Sequence, residues 1–152
     1  MTALTETLAS MLDGGAGLAA LCLSAFLSAT VLPGSSEALL AAAVAAAPET
    51  GRTVLLAAAA SVFNTLGSMT SWCIGHCFRQ LAVEPGALAR VQRWGAPALF
   101  FAWVPVVGDM LPIAAGWLRI GFWPALLWTA LGKSFRYAVL AWAALQAARA
   151  LA

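Results

Sequence analysis

Residues 27–40 read LSATVLPGSSEALL, and residues 103–112 read WVPVVGDMLP. Both stretches set a proline inside an apolar run and follow it, four residues later, with an acid. Glu37 follows Pro33 and Asp109 follows Pro105, so one offset of 72 positions carries proline onto proline and acid onto acid. Proline removes a backbone donor and clashes with the preceding helical turn. The two stretches therefore read as broken helices, and the nature of their solvent decides the fold.

Composition names that solvent. Of the 152 residues, 62% are hydrophobic and 9% charged, against about 25% charged in an ordinary soluble domain. Charge this sparse cannot cover a globular surface, so the surrounding medium is lipid. The chain is expected to be an all-α integral membrane protein of one domain, residues 1–152. A net charge of +2 argues against nucleic acid. The first 13 residues have no basic group ahead of an apolar run and do not read as a secretory signal. Cys22, Cys73 and Cys77 are odd in number and lie in apolar segments, so no disulfide framework is expected.

Four apolar stretches follow: about 17–47, broken at Pro33-Gly34; about 53–78; about 97–118, interrupted by Pro105, Gly108 and Pro112; and about 122–148. The second and fourth are long enough to cross roughly 30 Å of hydrocarbon at 1.5 Å per residue. The halves of the broken stretches, about 11 to 17 residues each, are too short to cross upright. In lipid, freed backbone groups need partners in protein or water. Ser35 and Ser36 offer hydroxyls at the first break and are candidate caps for a helix running through Glu37. The expected fold has two re-entrant helical hairpins and two spanning helices in an inverted repeat. The first repeat covers about 17–78 and the second about 97–148. The alternative is four spanning helices. The hairpin tips would be Pro33, Gly34, Ser35, Ser36, Pro105 and Gly108, meeting near the midplane as in transporters with inverted repeats. The connector, about 79–96, carries Arg79, Arg90 and Arg93 and is expected on the cytoplasmic side. Its interior, Pro85 to Trp94, reads as an amphipathic segment on the membrane surface.

Glu37, Asp109, Lys133 and Arg136 are the ionisable residues placed deepest. Charge inside a membrane segment is costly and marks a pathway by default. Lys133 and Arg136 lie three apart on one helix face. Arg136 can fork onto a phosphate and Lys133 can add a point charge. Glu37 and Asp109 suit proton exchange. The bland reading pairs each acid with one of the two cations simply to hold hairpins to helices. Asn64, which the 72-residue offset places over Arg136, is a candidate for contact with a head group or a hairpin backbone. Trp103, two residues before Pro105, belongs near the site. Gly67, Ser71 and Gly75 recur every fourth residue and permit close helix packing. Cys73, His76 and Cys77 share a helix face but lack a fourth ligand, so no metal is expected. No nucleophile–base constellation or phosphate-binding glycine loop appears, so neither enzymatic activity nor a cofactor is expected.

The segments LSATVLPGSSEALL (27–40), FNTLGSMTSWCIG (63–75), WVPVVGDMLPIAAGWLRIGFWP (103–124) and ALGKSFRY (130–137) together resemble the YqaA-type branch of the DedA superfamily, relatives of the VTT-domain proteins. The resemblance implies a bacterial cytoplasmic-membrane protein with two re-entrant hairpins that moves a phosphate-bearing lipid between leaflets. Undecaprenyl phosphate and phosphatidylethanolamine are the implied substrates, with dependence on the proton motive force. The family's acid after Pro-Gly matches Glu37. Its arginines three residues before and after the second hairpin's proline are replaced here by Ala102 and Gly108. The leading expectation is thus a lipid flippase or scramblase, with Arg136, Lys133, Asn64 and Trp103 binding substrate and Glu37 and Asp109 exchanging protons. The runners-up are an ion or proton-coupled solute transporter and a non-transporting assembly subunit. Expected partners are membrane lipids and, as a homo-oligomer, further copies of the chain.

Overall fold

The computed structural model describes residues 15–29, 35–46, 48–78, 83–104 and 107–151. Pro33, Gly34 and Pro105 lie outside the described residues, as does the side chain of Ser35. Among the described residues the chain is entirely helical. In chain order it forms α1 (Gly15–Ser28), α2 (Ser35–Ala46), α3 (Thr50–Cys77), α4 (Pro85–Trp94), a 3-10 helix (Ala96–Trp103), α5 (Val107–Trp117) and α6 (Phe122–Leu151).

The long helices α3 and α6 pack antiparallel. Arg149 donates to the Thr50 hydroxyl at 2.8 Å at one end. Ser61 and Ser134 share a hydrogen bond of 2.9 Å near the middle. At the other end Trp72 meets Phe122 edge to face, with centroids 5.5 Å apart. The chain therefore leaves the end of α3 and begins α6 at that same end, with α4, the 3-10 helix and α5 in between. Trp72 Nε1 donates to the Ile120 carbonyl at 3.2 Å and fastens this return.

The shorter elements pack in a repeating pattern. In each half the first limb lies on the half's own long helix, α1 on α3 and the 3-10 helix on α6. The second limb leans on the other half's long helix, α2 on α6 and α5 on α3. Small residues make these approaches possible. A side-chain carbon at Gly67 would strike the Phe26 carbonyl and lie 2.8 Å from the Ala29 Cβ. One at Gly75 would strike the Ile113 carbonyl, one at Gly116 the Trp72 carbonyl and one at Gly132 the Phe100 carbonyl. Ser71 donates to the Ala29 carbonyl at 3.2 Å. The Gly67-Ser71-Gly75 stripe is thus a packing seam against two different elements.

The local ends follow their residues. Glu84 accepts from the Gly86 and Ala87 amides at 2.9 and 2.7 Å, and Pro85 occupies the first turn of α4, where its missing N–H costs nothing. Ala87 and Val91, four apart, are buried. Gly95 closes α4 at φ 65°, a left-handed conformation that glycine adopts without strain.

Three expectations are corrected. Pro112 does not interrupt its segment but lies inside α5, where it cannot bond the Gly108 carbonyl one turn back. Ser36 does not cap α2; its hydroxyl reaches Ser28 and Tyr137 instead. The fourth stretch is long enough to span, at 30 residues. Among the described residues, however, only Thr50–Cys77 is both long and apolar enough to cross a membrane by itself. Lys133 and Arg136 in the middle of α6 lower its hydropathy, and both lie largely inside the protein.

Candidate functional site

Two apolar cores stack along the α3–α6 pair. One gathers Leu21, Leu40, Val44, Leu56, Ala60, Tyr137 and Leu145. The other gathers Met69, Trp72, Val91, Leu99, Leu111 and Ala125. Between them lies a polar layer. From α3 come Ser61, Asn64, Thr65 and Ser68, and from α6 come Thr129 and Lys133, all buried. Burial favours hydrogen bonds among such groups, and part of the layer makes them, while Asn64 Oδ1, Ser68 Oγ and Thr129 Oγ1 are buried without a partner. Asn64 donates to the Ala25 carbonyl at 2.8 Å and to Ser28 at 3.1 Å. Ser28 and Ser36 are 3.1 Å apart, and Ser36 and the Tyr137 hydroxyl are 2.9 Å apart. This chain of hydroxyls joins α3, α1, α2 and α6. Asn64 thus holds the backbone of α1, the first half of the broken stretch, where the sequence had suggested contact with a head group or a hairpin backbone.

Each of the two acids reaches a different cation of α6. Asp109, in the first turn of α5, accepts from Lys133 at 2.7 Å. Glu37, in the first turn of α2, pairs with Arg136. The surroundings differ. Lys133 is fully enclosed and Asp109 is 20% exposed. Arg136 is 13% exposed and Glu37 29% exposed. Glu37 and Arg136 form the polar wall of a groove of about 180 Å³, completed by Trp103, Phe135, Val139 and Leu140. That is the liquid volume of roughly six waters. Phe135 and Val139 are half exposed on the outer surface, so the groove opens sideways, midway along α6. Trp103 stands against Phe135 with centroids 5.9 Å apart.

The structure therefore brings Glu37, Arg136 and Trp103 together and sets Lys133 with Asp109 behind them. Gly108 is backed onto Ala102. A side-chain carbon at Gly108 would lie 2.7 Å from the Ala102 carbonyl, and Ala102 is fully buried. The two positions where the resembling family carries arginines are packed against each other here, leaving no room for long side chains. Tyr137, Ser28, Ser61 and Thr129 were not singled out from the sequence. A signal for two of them was present: the 72-residue offset maps Ser61, Asn64 and Thr65 onto Lys133, Arg136 and Tyr137. His76 stacks on Trp72 at 4.9 Å, while Cys73 and Cys77 are exposed.

Fold and site define a small all-helical protein with an apolar exterior, whose ion pairs and hydroxyls collect in its central layer. No family model matches the chain, and no solved structure matches it. Curated relatives do. It is 37% identical over 126 residues to the inner membrane protein YqaA of Escherichia coli (strain K12), covering 81% of this chain and 87% of the relative. The inner membrane protein YqaA of Shigella flexneri matches to the same extent. An uncharacterized protein of Haemophilus influenzae is 39% identical over 127 residues, covering 78% of this chain and 81% of its own length. The chain belongs to the YqaA family and is a bacterial inner-membrane protein.

Proposed function

We propose that this protein moves a phosphate-bearing lipid, such as undecaprenyl phosphate or a phospholipid, between the leaflets of the inner membrane. The observation that carries the reading is the sideways groove at Glu37 and Arg136. It places a guanidinium, already matched to an oxyanion, midway along α6 on an apolar outer surface. A head-group phosphate entering there would take over Arg136 from Glu37 with bidentate geometry. The groove suits a head group, and the acyl chains would remain in lipid. The displaced Glu37 would take up a proton and release it when the pair re-forms, coupling translocation to proton movement. Trp103 would wall the site. Lys133, enclosed and bonded to Asp109, would hold the second hairpin rather than meet the phosphate.

The antiparallel packing of α3 and α6 supports a re-entrant topology. Four consecutive crossings would make those helices parallel. Hairpins that enter and leave on one side would make them antiparallel, with each repeat crossing once. A second reading takes both pairs as staples only, and the complete enclosure of Lys133 favours it for the second hairpin.

The test is translocation of a fluorescent phosphatidylethanolamine in liposomes containing the purified protein, read by dithionite accessibility. Glu37→Gln and Arg136→Ala should each lose activity while remaining folded. Wild-type rates in both would contradict the proposal.

A further inference from the structure

A second groove lies away from the central site, between α4, the 3-10 helix and α5. Its volume is about 550 Å³, three times that of the groove at Arg136. Its walls are mostly apolar, with Phe101, Val104 and Leu111 along the floor and Trp94 at the side. Arg90 and Arg93 stand at its rim, three apart on α4 and both exposed. Ala87 and Val91 anchor the opposite face of α4 in the core. Among the described residues, no acid lies within salt-bridge distance of either guanidinium. An apolar trough edged by two unneutralised cations, in a protein of the inner membrane, matches a ligand with a phosphate head and an acyl chain.

The two grooves are linked by aromatic rings. Trp94 meets Phe101 at 5.6 Å, Phe101 meets Phe100 at 6.2 Å, Phe100 meets Phe135 at 6.2 Å and Phe135 meets Trp103 at 5.9 Å. Four of these five rings are substantially exposed. They form a continuous apolar track from the rim arginines to the central groove.

We infer that the groove beneath α4 is a separate binding site for a phosphate-bearing lipid. Arg90 and Arg93 hold the head phosphate, and an acyl chain lies over Phe101, Val104 and Leu111. The aromatic track makes it a loading position for lipid approaching the central groove. The binding site itself does not depend on translocation, so its failure and the failure of the proposed function are separable.

Isothermal titration of the full chain in neutral detergent tests this, using dihexanoyl phosphatidic acid, dihexanoyl glycerol and inorganic phosphate. The phosphatidic acid should bind more tightly than either of the others, because each of those supplies half of the recognition. Arg90→Gln with Arg93→Gln should weaken it roughly 30-fold, from about 1 kcal/mol per arginine near the membrane surface. Ala89→Trp, at an exposed position in the wall of the groove, should also weaken it while leaving the charge unchanged. Arg136→Ala should remove only binding at the central groove, so the binding that Arg90→Gln with Arg93→Gln weakens persists in it. All three replaced residues of α4 are exposed, so unchanged melting without ligand is expected. The inference is overturned if the double arginine variant binds normally, or if inorganic phosphate binds as tightly as the lipid. It is also overturned if Ala89→Trp has no effect, or if Arg136→Ala abolishes binding, which would place the ligand in the central groove.

Discussion

Lys133 and Arg136 stand one turn apart on α6, and each holds the acid of a different short helix, yet the two pairs are built differently. The Lys133–Asp109 pair has its cation wholly enclosed, beside the place where the 3-10 helix and α5 close on each other at Ala102 and Gly108. The Arg136–Glu37 pair borders a groove that opens to the outer surface. An ion pair with an enclosed cation pays the desolvation of that charge, and the cation cannot exchange partners without unpacking. A half-open pair can exchange one oxyanion for another. The residue types fit this division, because a planar guanidinium suits a forked contact with phosphate and a compact ammonium suits a single buried acceptor. Matching sequence patterns have therefore produced one pair with an enclosed cation and one that borders a groove, which under the proposed function would hold and exchange respectively.

The largest effect expected from breaking this contrast is on stability. Asp109→Asn strands an enclosed ammonium and should cost roughly 3–5 kcal/mol, measured by unfolding in detergent. Glu37→Gln should cost clearly less, since Arg136 keeps access to the groove. Next comes the rate. Arg136→Ala should lower lipid translocation about 10- to 100-fold, the loss expected from removing a charged hydrogen bond of roughly 1.5–3 kcal/mol, while the melting temperature changes little. A smaller effect belongs to the hydroxyl chain that positions α2 beside the open pair. Tyr137→Phe removes the contact with Ser36 and should cost about 1 kcal/mol in the same unfolding measurement. The smallest is Ser61→Ala, which removes one bond between α3 and α6 and should cost about 0.6 kcal/mol, typical of such bonds between membrane helices.

Much of this arrangement was legible in the sequence. The two proline-and-acid stretches marked the four short elements, and the cations three apart marked the face of α6 that receives them. The Gly67-Ser71-Gly75 stripe announced a packing seam. What could not be read was partnership. Either acid suited either cation, and only the placement of α2 and α5 on opposite long helices assigns Glu37 to Arg136 and Asp109 to Lys133. Asn64 was legible as a contact for a head group or a hairpin backbone, but the Ala25 carbonyl was not legible as its partner, because helix rotation is set by packing rather than by local pattern. Pro112 misled for a related reason: proline marks a lost donor, and the surrounding packing decides whether the helix ends there. The polar layer was partly visible, since Ser61, Asn64 and Thr65 map onto Lys133, Arg136 and Tyr137 at the same offset that aligns the acids. The inverted-repeat reading implied that α3 and α6 run antiparallel and the four-helix alternative that they run parallel, and the direction of the two helices could be seen only in three dimensions.

The measurement that tests the division of labour most directly removes each pair as a unit. Apolar replacement of both partners avoids a stranded charge and is often close to neutral for stability. Liposomes carrying Glu37→Met with Arg136→Met are to be compared, in the same translocation assay, with liposomes carrying Asp109→Leu with Lys133→Met. Both double variants should insert and fold. The account predicts that the first has lost translocation and the second retains most of it. Retention by both, or loss by the second alone, would contradict it.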